Sequence, residues 1–505
     1  MGDERITNAA VHRLRGPRHR WPGPTRINGR GASTLPKAAA VTVPPLPWIG
    51  VAPGAPYFVD ETGRDWTPIG QNDAISWPEL APLFRRRDLA AVERHLAWLV
   101  EHGVTCLRLM VEYAQVRHRY FERPAGVPVP AMVQLWDDLF ALCERHGLRI
   151  LLTPVDTFWM WLHWRHHPWN RAQGGPLGHP SQLLLCGDTR AAIKARLTFM
   201  VQRWGGSGAL FAWDLWNEIH HAQAEGSAEC FGDFIADLSN HVRSLEQRLH
   251  GRTHPQTVSL FGPELWWRPD LSLAEPIFRH PDLDFATIHI YRSGSIDDPR
   301  DTVTPALAMG RIVRHCLGEI RDRRPFLDTE HGPIHRFKDK HRTLPEAFDD
   351  EYFRHLSWAH LASGGVGGGM RWPNRHPHVL TAGMREAQRA MSGFLPLIDW
   401  QRFVRRPLAA RATSYHAVAC GDEQQAIVWL VKRGARLPDG RVDQIPLPER
   451  PILVPMPAGR YRVTGWDTRS GKACGEQEVT AAETGLTFRA ALGGDGAFAI
   501  HRLAG

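Results

Sequence analysis

Two glutamates stand at the ends of apolar stretches. A charged side chain is unusual in such a position and suggests a function. Glu218 closes "LFAWDLWNE" (210–218), directly after Asn217, and Glu330 closes "PFLDTE" (325–330). Two carboxyl groups in one concave site can cleave a glycosidic bond, because one protonates the leaving oxygen while the other stands beside the anomeric carbon. The acid then needs a raised pKa, and its partner must be ionised. We expect Glu218 and Glu330 to form this pair; the alternative is a structural ion pair.

Strands that alternate with helices would bring these residues together. Short apolar runs alternate with amphipathic stretches such as "DLAAVERHLAWLVEHG" (88–103), whose apolar residues recur at helical spacing before a Gly. Eight strand candidates lie at 57–73, 104–113, 148–156, 210–218, 257–262, 285–291, 325–330 and 364–372. Strands that alternate with helices pair in parallel, so we expect an α/β fold, a (β/α)8 TIM barrel. A doubly wound sheet is the alternative, but no Gly-rich phosphate loop supports it.

Polar residues at the carboxyl ends of barrel strands project into the active site. This rule predicts that several side chains, distant in sequence, meet at one mouth: Arg108, Asp156, Asn217, Glu218, His289, Tyr291, Glu330 and Trp372. Arg108 would keep a partner carboxylate ionised, and Asn217 would hydrogen-bond a sugar 2-hydroxyl. Tyr291 would orient the nucleophile, and Trp372 would form an apolar floor under the reacting sugar. The structural alternatives are a salt bridge for Arg108, plain hydrogen bonds for His289 and Tyr291, and a core position for Trp372.

The chain after about residue 405 changes character. Short β runs such as "QAIVWLVKRG" and "GLTFRAAL" are separated by Gly, Pro and Asp turns. This pattern predicts a small C-terminal antiparallel β-sandwich. We therefore expect three parts: a disordered basic tail at 1–45, a catalytic barrel at 46–402 and the sandwich at 403–505.

The charge is concentrated at the N-terminus. The chain has 505 residues and a net charge of +8, of which residues 1–40 carry +6 through eight basic and two acidic residues. The remainder is nearly neutral, which argues against a nucleic-acid partner. The first 36 residues lack the apolar segment of a secretory signal, and the seven cysteines are scattered without a CxxC pair. These features predict a cytoplasmic protein with reduced thiols and no membrane segment.

A histidine group, "HWRHH" (163–167), is the one candidate for a metal site in the sequence. Its histidines are spaced for one helix face, but no H-E-x-x-H motif accompanies them. A loop or the wall of a substrate groove is the preferred interpretation. We expect neither a metal nor a cofactor.

The motifs together resemble a known group of enzymes. "WDLWNE" (213–218), "HIY" (289–291) and "FLDTEHG" (326–332) are similar to clan A of the glycoside hydrolases, and closest in look to the cellulase-like family 5. The resemblance covers about residues 55–400. It implies a retaining enzyme, with Glu218 as acid/base, Asn217 as its 2-hydroxyl partner and Glu330 as nucleophile. It also implies that Arg108, His289, Tyr291 and Trp372 surround the reacting sugar.

One strand end departs from that family. Family 5 enzymes often carry a His near the end of strand three, whereas "TPVDTFWMW" (153–161) offers Asp156 and Trp159, which we expect to line the substrate groove. The expected activity is the hydrolysis of a β-linked glucan, mannan or related oligosaccharide or glycoside. Two alternatives stay open: an intracellular transglycosylase, and a non-catalytic carbohydrate-binding protein on the same fold.

Overall fold

The structure is a computed structural model. It describes residues 45–112, 120–334, 343–375, 378–434 and 436–504. The expected basic tail lies outside the described residues. Residues from Pro45 to Gly505 form one compact unit. Among the described residues, no helix combines the length and the apolar composition that crossing a bilayer requires.

A small antiparallel sheet precedes the main sheet. Its strands are β1 (Ile49–Val51), β2 (Phe58–Asp60) and β3 (Asp65–Trp66), in the order β1-β2-β3. Asp60 shapes the turn between β2 and β3, because its Oδ1 accepts hydrogen bonds from the backbone N–H groups of Thr62 (2.8 Å) and Arg64 (3.0 Å). Strands β2 and β3 form an antiparallel hairpin, and the chain then enters the main sheet.

Parallel strands form the centre of the molecule. They are β4 (Gly70–Asp73), β5 (Cys106–Met110), β6 (Arg149–Thr153), β7 (Leu210–Asp214), β8 (Gln256–Thr257), β9 (Ala286–Ile290) and β10 (Phe326–His331). The first five pair in the order β4-β5-β6-β7-β8, and β9 pairs with β10. Every residue of these strands is buried. Strands buried on both faces are typical of parallel sheets covered by helices.

Helices follow most of these strands. They are α1 (Ala81–Arg86), α2 (Leu89–Glu101), α3 (Pro130–His146), α4 (Thr157–Leu162), α5 (Gly187–Trp204), α6 (Phe231–His250), α7 (Glu264–Trp267), α8 (Ala274–Phe278), α9 (Val303–Glu319), α10 (Glu346–Ala362) and α11 (Ala382–Phe394). Helix α2 shows how the sequence sets its limits: Asp88 caps its first turn by accepting from Ala91 N at 3.0 Å, and Gly103 follows its end with a φ of 73°.

Isolated parallel bridges connect the outer strands. Phe261, just beyond β8, pairs with His289 of β9. Arg371 pairs with both His331 of β10 and Gln71 of β4. The segment at Arg371 therefore lies between β10 and β4, where the sequence places the eighth strand.

This eighth segment is not the regular strand that "GGVGGGMRW" predicts. Gly364, Gly367 and Gly369 all have positive φ, so the backbone departs from extended geometry, and only Arg371 forms bridges. The backbone of this segment is closely packed. A Cβ at Gly369 would lie 2.9 Å from Oδ2 of Asp328, and one at Gly367 would lie 2.6 Å from the carbonyl oxygen of Pro68. Glycine is required because neighbouring atoms occupy the space of a side chain.

The C-terminal strands are antiparallel, as predicted. They are β11 (Arg406–Pro407), β12 (Arg411–Ala412), β13 (Tyr415–Gly421), β14 (Gln425–Lys432), β15 (Arg450–Val454), β16 (Gly459–Asp467), β17 (Lys472–Ala481), β18 (Leu486–Ala490) and β19 (Asp495–Arg502). Six form a sheet of order β11-β13-β14-β19-β16-β17, and three form a second sheet of order β12-β15-β18. One buried apolar cluster draws residues from both sheets, including Val428, Ile452, Phe488 and Ile500.

Helix α10 joins the C-terminal strands to the rest of the chain. Arg354 donates to Oδ1 of Asp495 in β19 at 3.0 Å, and His355 Nε2 lies 3.3 Å from the same oxygen. The other oxygen of Asp495 accepts from Thr468 (2.6 Å) and from the Trp429 indole (3.2 Å). These groups are buried, so each charge is compensated within the protein.

Candidate active site

Glu218 follows strand β7 by four residues and has an unusual backbone. Its φ is 51°, in the left-handed region, which costs a non-glycine residue roughly 1–3 kcal/mol. Its backbone N–H donates to Oγ of Ser259 at 3.2 Å. The carboxylate is 16% exposed, whereas the preceding strand is buried throughout. The buried strand thus delivers a partly accessible carboxyl group to the carboxyl-terminal edge of the sheet.

Glu330 is placed by an irregularity in strand β10. Asp328 pairs with Ile288 and Glu330 pairs with His289, so Thr329 is an extra residue in the register. Because Ile288 and His289 are consecutive, Asp328 and Glu330 lie on opposite faces. The side chain of Glu330 is 10% exposed. The bulge therefore directs Glu330 toward His289 while Asp328 stays fully buried.

His289 lies between the two glutamates. Its Nδ1 atom is 2.7 Å from Oε1 of Glu218 and 3.4 Å from Oε2 of Glu330. Burial lowers the pKa of His289 to about 4, so the imidazole is neutral near pH 7. Nδ1 must carry the proton in order to donate to a carboxylate. His289 therefore hydrogen-bonds Glu218 through Nδ1 and places the same atom next to Glu330.

The two carboxyl groups are close together. One carboxylate oxygen of Glu218, one of Glu330 and a ring nitrogen of His289 all lie within 4.8 Å of one another. Burial raises the pKa of Glu218 to about 7, and the nearby charges of Asp214 and Glu264 also raise it. Burial raises the pKa of Glu330 too, but His289, Arg108 and the Tyr291 hydroxyl oppose that rise. Glu218 is therefore the group suited to hold a proton, and Glu330 is the one surrounded by donors.

Tyr291 and Arg108 supply two of those donors. The Tyr291 hydroxyl donates to Oε1 of Glu330 at 2.5 Å, and Nη1 of Arg108 donates to Oε2 at 3.2 Å. Each oxygen of Glu330 thus receives a hydrogen bond from a different part of the sheet: Arg108 lies within β5, and Tyr291 directly follows β9. Hydrogen bonds to a charged form stabilise it and orient it.

Arg108 is completely buried, and it is the centre of a larger network. Nη2 donates to Oδ2 of Asp214 (2.7 Å) and to Oδ1 of Asn217 (2.5 Å), and Nη1 donates to Oδ1 of Asn72 (2.8 Å). All these contacts are within the protein. Arg108 has no exposed surface, and its contact with Glu330 fits the predicted electrostatic role; its place around the reacting sugar stays a prediction.

Asn217 and Asp156 form the next link. Asn217 accepts from Arg108 and donates one of its two N–H bonds to Oδ1 of Asp156 at 3.1 Å. Asp156 is fully buried, and its Oδ1 also accepts from the backbone of Phe158 (2.8 Å) and Trp159 (3.3 Å) at the start of α4. Burial raises the pKa of Asp156 to about 8. Asp156 has no exposed surface and its described contacts position Asn217 and cap a helix, while its predicted place in the substrate groove stays a prediction.

The predicted tryptophans belong to one aromatic cluster. Trp372 directly follows Arg371 and is 8% exposed, and its ring packs edge-on against Trp77 with the centroids 5.1 Å apart. Trp159 is half-buried and packs against the same cluster, which also contains Met110. Trp159 stacks on His163 with the centroids 5.4 Å apart. The structure therefore brings Trp372 and Trp159 together beside the carboxyl ends of the strands.

Three residues of the network are not among those the sequence analysis selected. Asn72 donates to the backbone oxygen of Thr329 at 2.9 Å, Asp214 holds Arg108, and Ser259 donates to Oδ2 of Asp214 at 3.1 Å. Asn72 stands near the end of the first strand in "PIGQND", so the strand-end rule applied to that strand would have found it. Asp214 lies four residues before Glu218, and nothing in the sequence distinguishes it from a strand residue.

A second group of titratable side chains follows Glu218. His220, His221 and Glu264 place three ligand atoms within 4.8 Å of one another. However, Nδ1 of His220 accepts from Ala222 N (3.0 Å), and Nε2 of His221 faces a guanidinium N–H of Arg268 (2.8 Å). In each imidazole the N–H proton therefore lies on the nitrogen that faces Glu264. Neither ring directs a lone pair to the place where a metal ion would sit. These tautomers direct N–H groups toward the carboxylate and do not fit a metal centre.

The histidines of "HWRHH" do not converge on one another as ligands in the structure. His167 is buried and lies 3.1 Å from Oε1 of Glu112, which also binds Arg196. Burial opposes ionisation of Glu112, but Arg196 and His167 outweigh it and lower its pKa to about 2. His163 stacks on Trp159. The segment contributes a structural ion network and part of the aromatic cluster.

Comparisons with solved structures identify related folds. A glycoside hydrolase family 5 protein from Bacteroides vulgatus matches 90% of this chain and 94% of its own, with a TM-score of 0.60 and 13% identity. A putative glycoside hydrolase from the same organism matches 90% and 82%, with a TM-score of 0.55 and 11% identity. A family 5 mannosidase from Rhizomucor miehei matches 65% and 86%, with a TM-score of 0.47 and 14% identity.

No protein-family model and no curated protein matches the sequence. The structural likeness to family 5 glycoside hydrolases, which the motifs indicated, is thus found at the level of the fold.

Proposed function

We propose that the chain is a retaining β-glycoside hydrolase related to family 5, with a (β/α)8 barrel at about 46–402 and a β-sandwich at about 403–505. The observation that carries this proposal is the spacing of Glu218 and Glu330. One carboxylate oxygen of Glu218 lies within 4.8 Å of one carboxylate oxygen of Glu330. Retaining enzymes keep their two carboxyl groups about 5–5.5 Å apart, whereas inverting enzymes need about 6.5–9.5 Å to admit a water molecule between them.

The surroundings of each glutamate support its proposed role. Glu330 is held by Tyr291 and Arg108, so an oxygen lone pair is oriented to attack the anomeric carbon. As this bond forms, the bond from the anomeric carbon to the leaving oxygen breaks, and Glu218 transfers its proton to that oxygen. Water then attacks the glycosyl-enzyme and gives its proton to Glu218, which releases Glu330 and restores both groups. The steps are balanced without a metal or an external cofactor.

The substrate class follows from the same site. The pair Trp372 and Trp159 offers apolar ring surface, which suits the C–H faces of sugar rings. Asn217 keeps one N–H bond beyond the one given to Asp156, and it stands directly before the acid/base. We propose a β-linked glucan, mannan or related oligosaccharide or glycoside, with Asn217 donating to the 2-hydroxyl of the reacting sugar.

A substrate screen with product stereochemistry tests the proposal. Aryl β-glycosides and β-linked polysaccharides are incubated with the full chain, and proton NMR follows the anomeric configuration of the first product. We expect hydrolysis with a β-configured initial product. An α-configured product would contradict the double displacement, and sugar binding without turnover would favour the non-catalytic alternative. Added acceptor sugars identify a transglycosylase, because such an enzyme would transfer the glycosyl group to the acceptor sugar instead of to water.

A further inference from the structure

The segment after the fifth parallel strand borders Glu218. Ser259 accepts from the backbone of Glu218 at 3.2 Å, and Phe261 forms a bridge with His289, which itself contacts Glu218. In the proposed reaction Glu218 protonates the leaving oxygen, so the leaving group lies on the side of this carboxyl group. Residues 261–268 therefore border the space that the leaving group occupies.

A row of aromatic rings runs along this segment to the surface. Tyr291, which donates to Glu330, lies with its ring centroid 5.5 Å from that of Phe261. The ring of Phe261 lies 5.9 Å from that of Trp267, and Trp267 is 62% exposed. An apolar surface made of neighbouring rings is more informative than a single exposed residue. The row thus presents an indole face at the rim, next to the catalytic pair.

The same short helix carries a polar group beside this indole. Glu264 lies with Oε1 3.5 Å from Nε2 of His220 and Oε2 3.6 Å from Nδ1 of His221. Oε2 is buried and has no hydrogen-bond partner within the usual distance. Burial opposes ionisation of Glu264, but His220, His221 and Arg268 together outweigh it and lower the pKa of the carboxyl group. The rim therefore combines an apolar ring with hydrogen-bonding groups, as the recognition of a sugar requires.

We propose that Trp267 is the stacking platform for a sugar ring on the leaving-group side, with Phe261 behind it and Glu264 and His220 as its polar edge. The inference rests on the proposed function and narrows its substrate class. The C–H face of a pyranose stacks on the indole, and the hydroxyl groups at the ring edge meet the polar groups. The substrate is then an oligosaccharide or polysaccharide whose leaving group is itself a sugar.

The test compares substrates with and without a sugar on that side. The oligosaccharide probes are β-1,4-linked mannohexaose and glucohexaose, and the references are β-mannosyl fluoride and β-glucosyl fluoride, whose leaving group has no ring. We expect Trp267→Ala to lower the ratio of kcat/KM for hexaose to kcat/KM for fluoride about three- to tenfold, as for the loss of one aromatic stacking contact.

Trp266→Ala is the matched control. Trp266 is 40% exposed on the same helix, but its ring packs toward His315 of α9 at 5.9 Å. We expect this variant to keep the wild-type ratio. An unchanged ratio in Trp267→Ala, or an equal decrease in both variants, overturns the inference while leaving the proposed function in place. A wild-type protein that cleaves neither class of substrate overturns the proposed function, and this inference with it.

Discussion

Arg108 donates two hydrogen bonds to one oxygen of Asp214, from Nη2 at 2.7 Å and from Nε at 3.2 Å, and both side chains are completely buried. Asp214 also accepts from Thr153 and Ser259, at 3.1 Å each. This arrangement leaves Nη1 of Arg108 directed to Glu330 and Asn72. Asp214 therefore fixes the orientation of the Arg108 guanidinium group. The position of Glu330 depends on that orientation, because Arg108 donates a hydrogen bond to it.

We expect Asp214→Asn to destabilise the fold strongly. The substitution keeps the shape but removes the negative charge that compensates Arg108, and loss of one partner of a buried ion pair costs about 3–5 kcal/mol. Urea unfolding measures the change in the free energy of unfolding. Glu478→Gln is the control, because Glu478 pairs with Arg460 at an exposed surface. A decrease of similar size in both variants would contradict the central role of Asp214.

Glu330→Ala and Glu218→Ala should fail in different ways. Without the nucleophile, azide can enter the vacated space and should give a glycosyl azide of inverted configuration. Without the acid/base, turnover should fall by about 10²–10⁴-fold for substrates whose leaving group needs a proton, and azide should then give a product of retained configuration. Product NMR distinguishes the two results. Near-wild-type turnover of both variants on every substrate would show that the assignment is wrong.

Tyr291→Phe should shift the acidic limb of the pH profile. The Tyr291 hydroxyl lowers the pKa of Glu330 by donating to its carboxylate, so its removal raises that pKa. The nucleophile acts in its ionised form, and kcat/KM falls as the pH drops through its pKa; the acidic limb therefore moves to higher pH. A hydrogen bond to a charged group contributes roughly 1.5–3 kcal/mol, so activity at the optimum should fall about 10- to 150-fold.

The control for this variant is Tyr461→Phe. The hydroxyl of Tyr461 donates to the backbone oxygen of Pro457 at 2.9 Å, within the C-terminal strands. We expect its pH profile to match that of the wild type. An unmoved acidic limb in a folded Tyr291→Phe variant would mean that Arg108 and His289 alone set the ionisation of Glu330.

Glu264→Gln should shift the basic limb instead. Burial raises the pKa of Glu218 to about 7, and the negative charge of Glu264 adds to this rise. The acid must hold its proton, so kcat/KM falls as the pH rises through that pKa. Removal of the Glu264 charge lowers the pKa of Glu218, and the basic limb moves to lower pH. Glu275→Gln, in the exposed pair with Arg279, should leave the limb in place, whereas a shift to higher pH in Glu264→Gln would contradict this electrostatic account.

The sequence predicts which residues meet because parallel strands end at one edge of a sheet. Arg108, Glu218 and His289 are far apart in the chain, yet their side chains join one hydrogen-bonded network. That agreement needs only the strand positions, which the apolar runs reveal. The depth of each side chain does not follow from strand positions: Asp156 lies just beyond β6 and Arg108 lies within β5, and neighbouring elements bury both side chains completely.

Backbone irregularities also escape the sequence pattern. In "FLDTE", Asp328 and Glu330 are two residues apart, and a regular strand would place both on one face. The extra residue at Thr329 separates them, and it depends on the pairing with β9. Likewise, the sequence at 364–372 suggests a strand, but Gly367 and Gly369 have positive φ values and pack where a Cβ would meet Pro68 and Asp328. Local sequence does not contain these tertiary contacts.

The contacts of helix α10 limit how the C-terminal strands can be exchanged between proteins. Near its start, Asp349 accepts from Arg371 (2.8 Å) and Arg375 (2.6 Å), on either side of Trp372. One turn later, Arg354 holds Asp495 of the C-terminal strands. A chimaera that exchanged the C-terminal strands would remove Asp495, the closer of the two carboxylates that contact buried Arg354 (3.0 Å, against 3.6 Å for Glu351), and this loss would act on the helix that anchors Trp372. The C-terminal strands are therefore not an interchangeable module, and a productive exchange would have to carry the matching face of α10 with it.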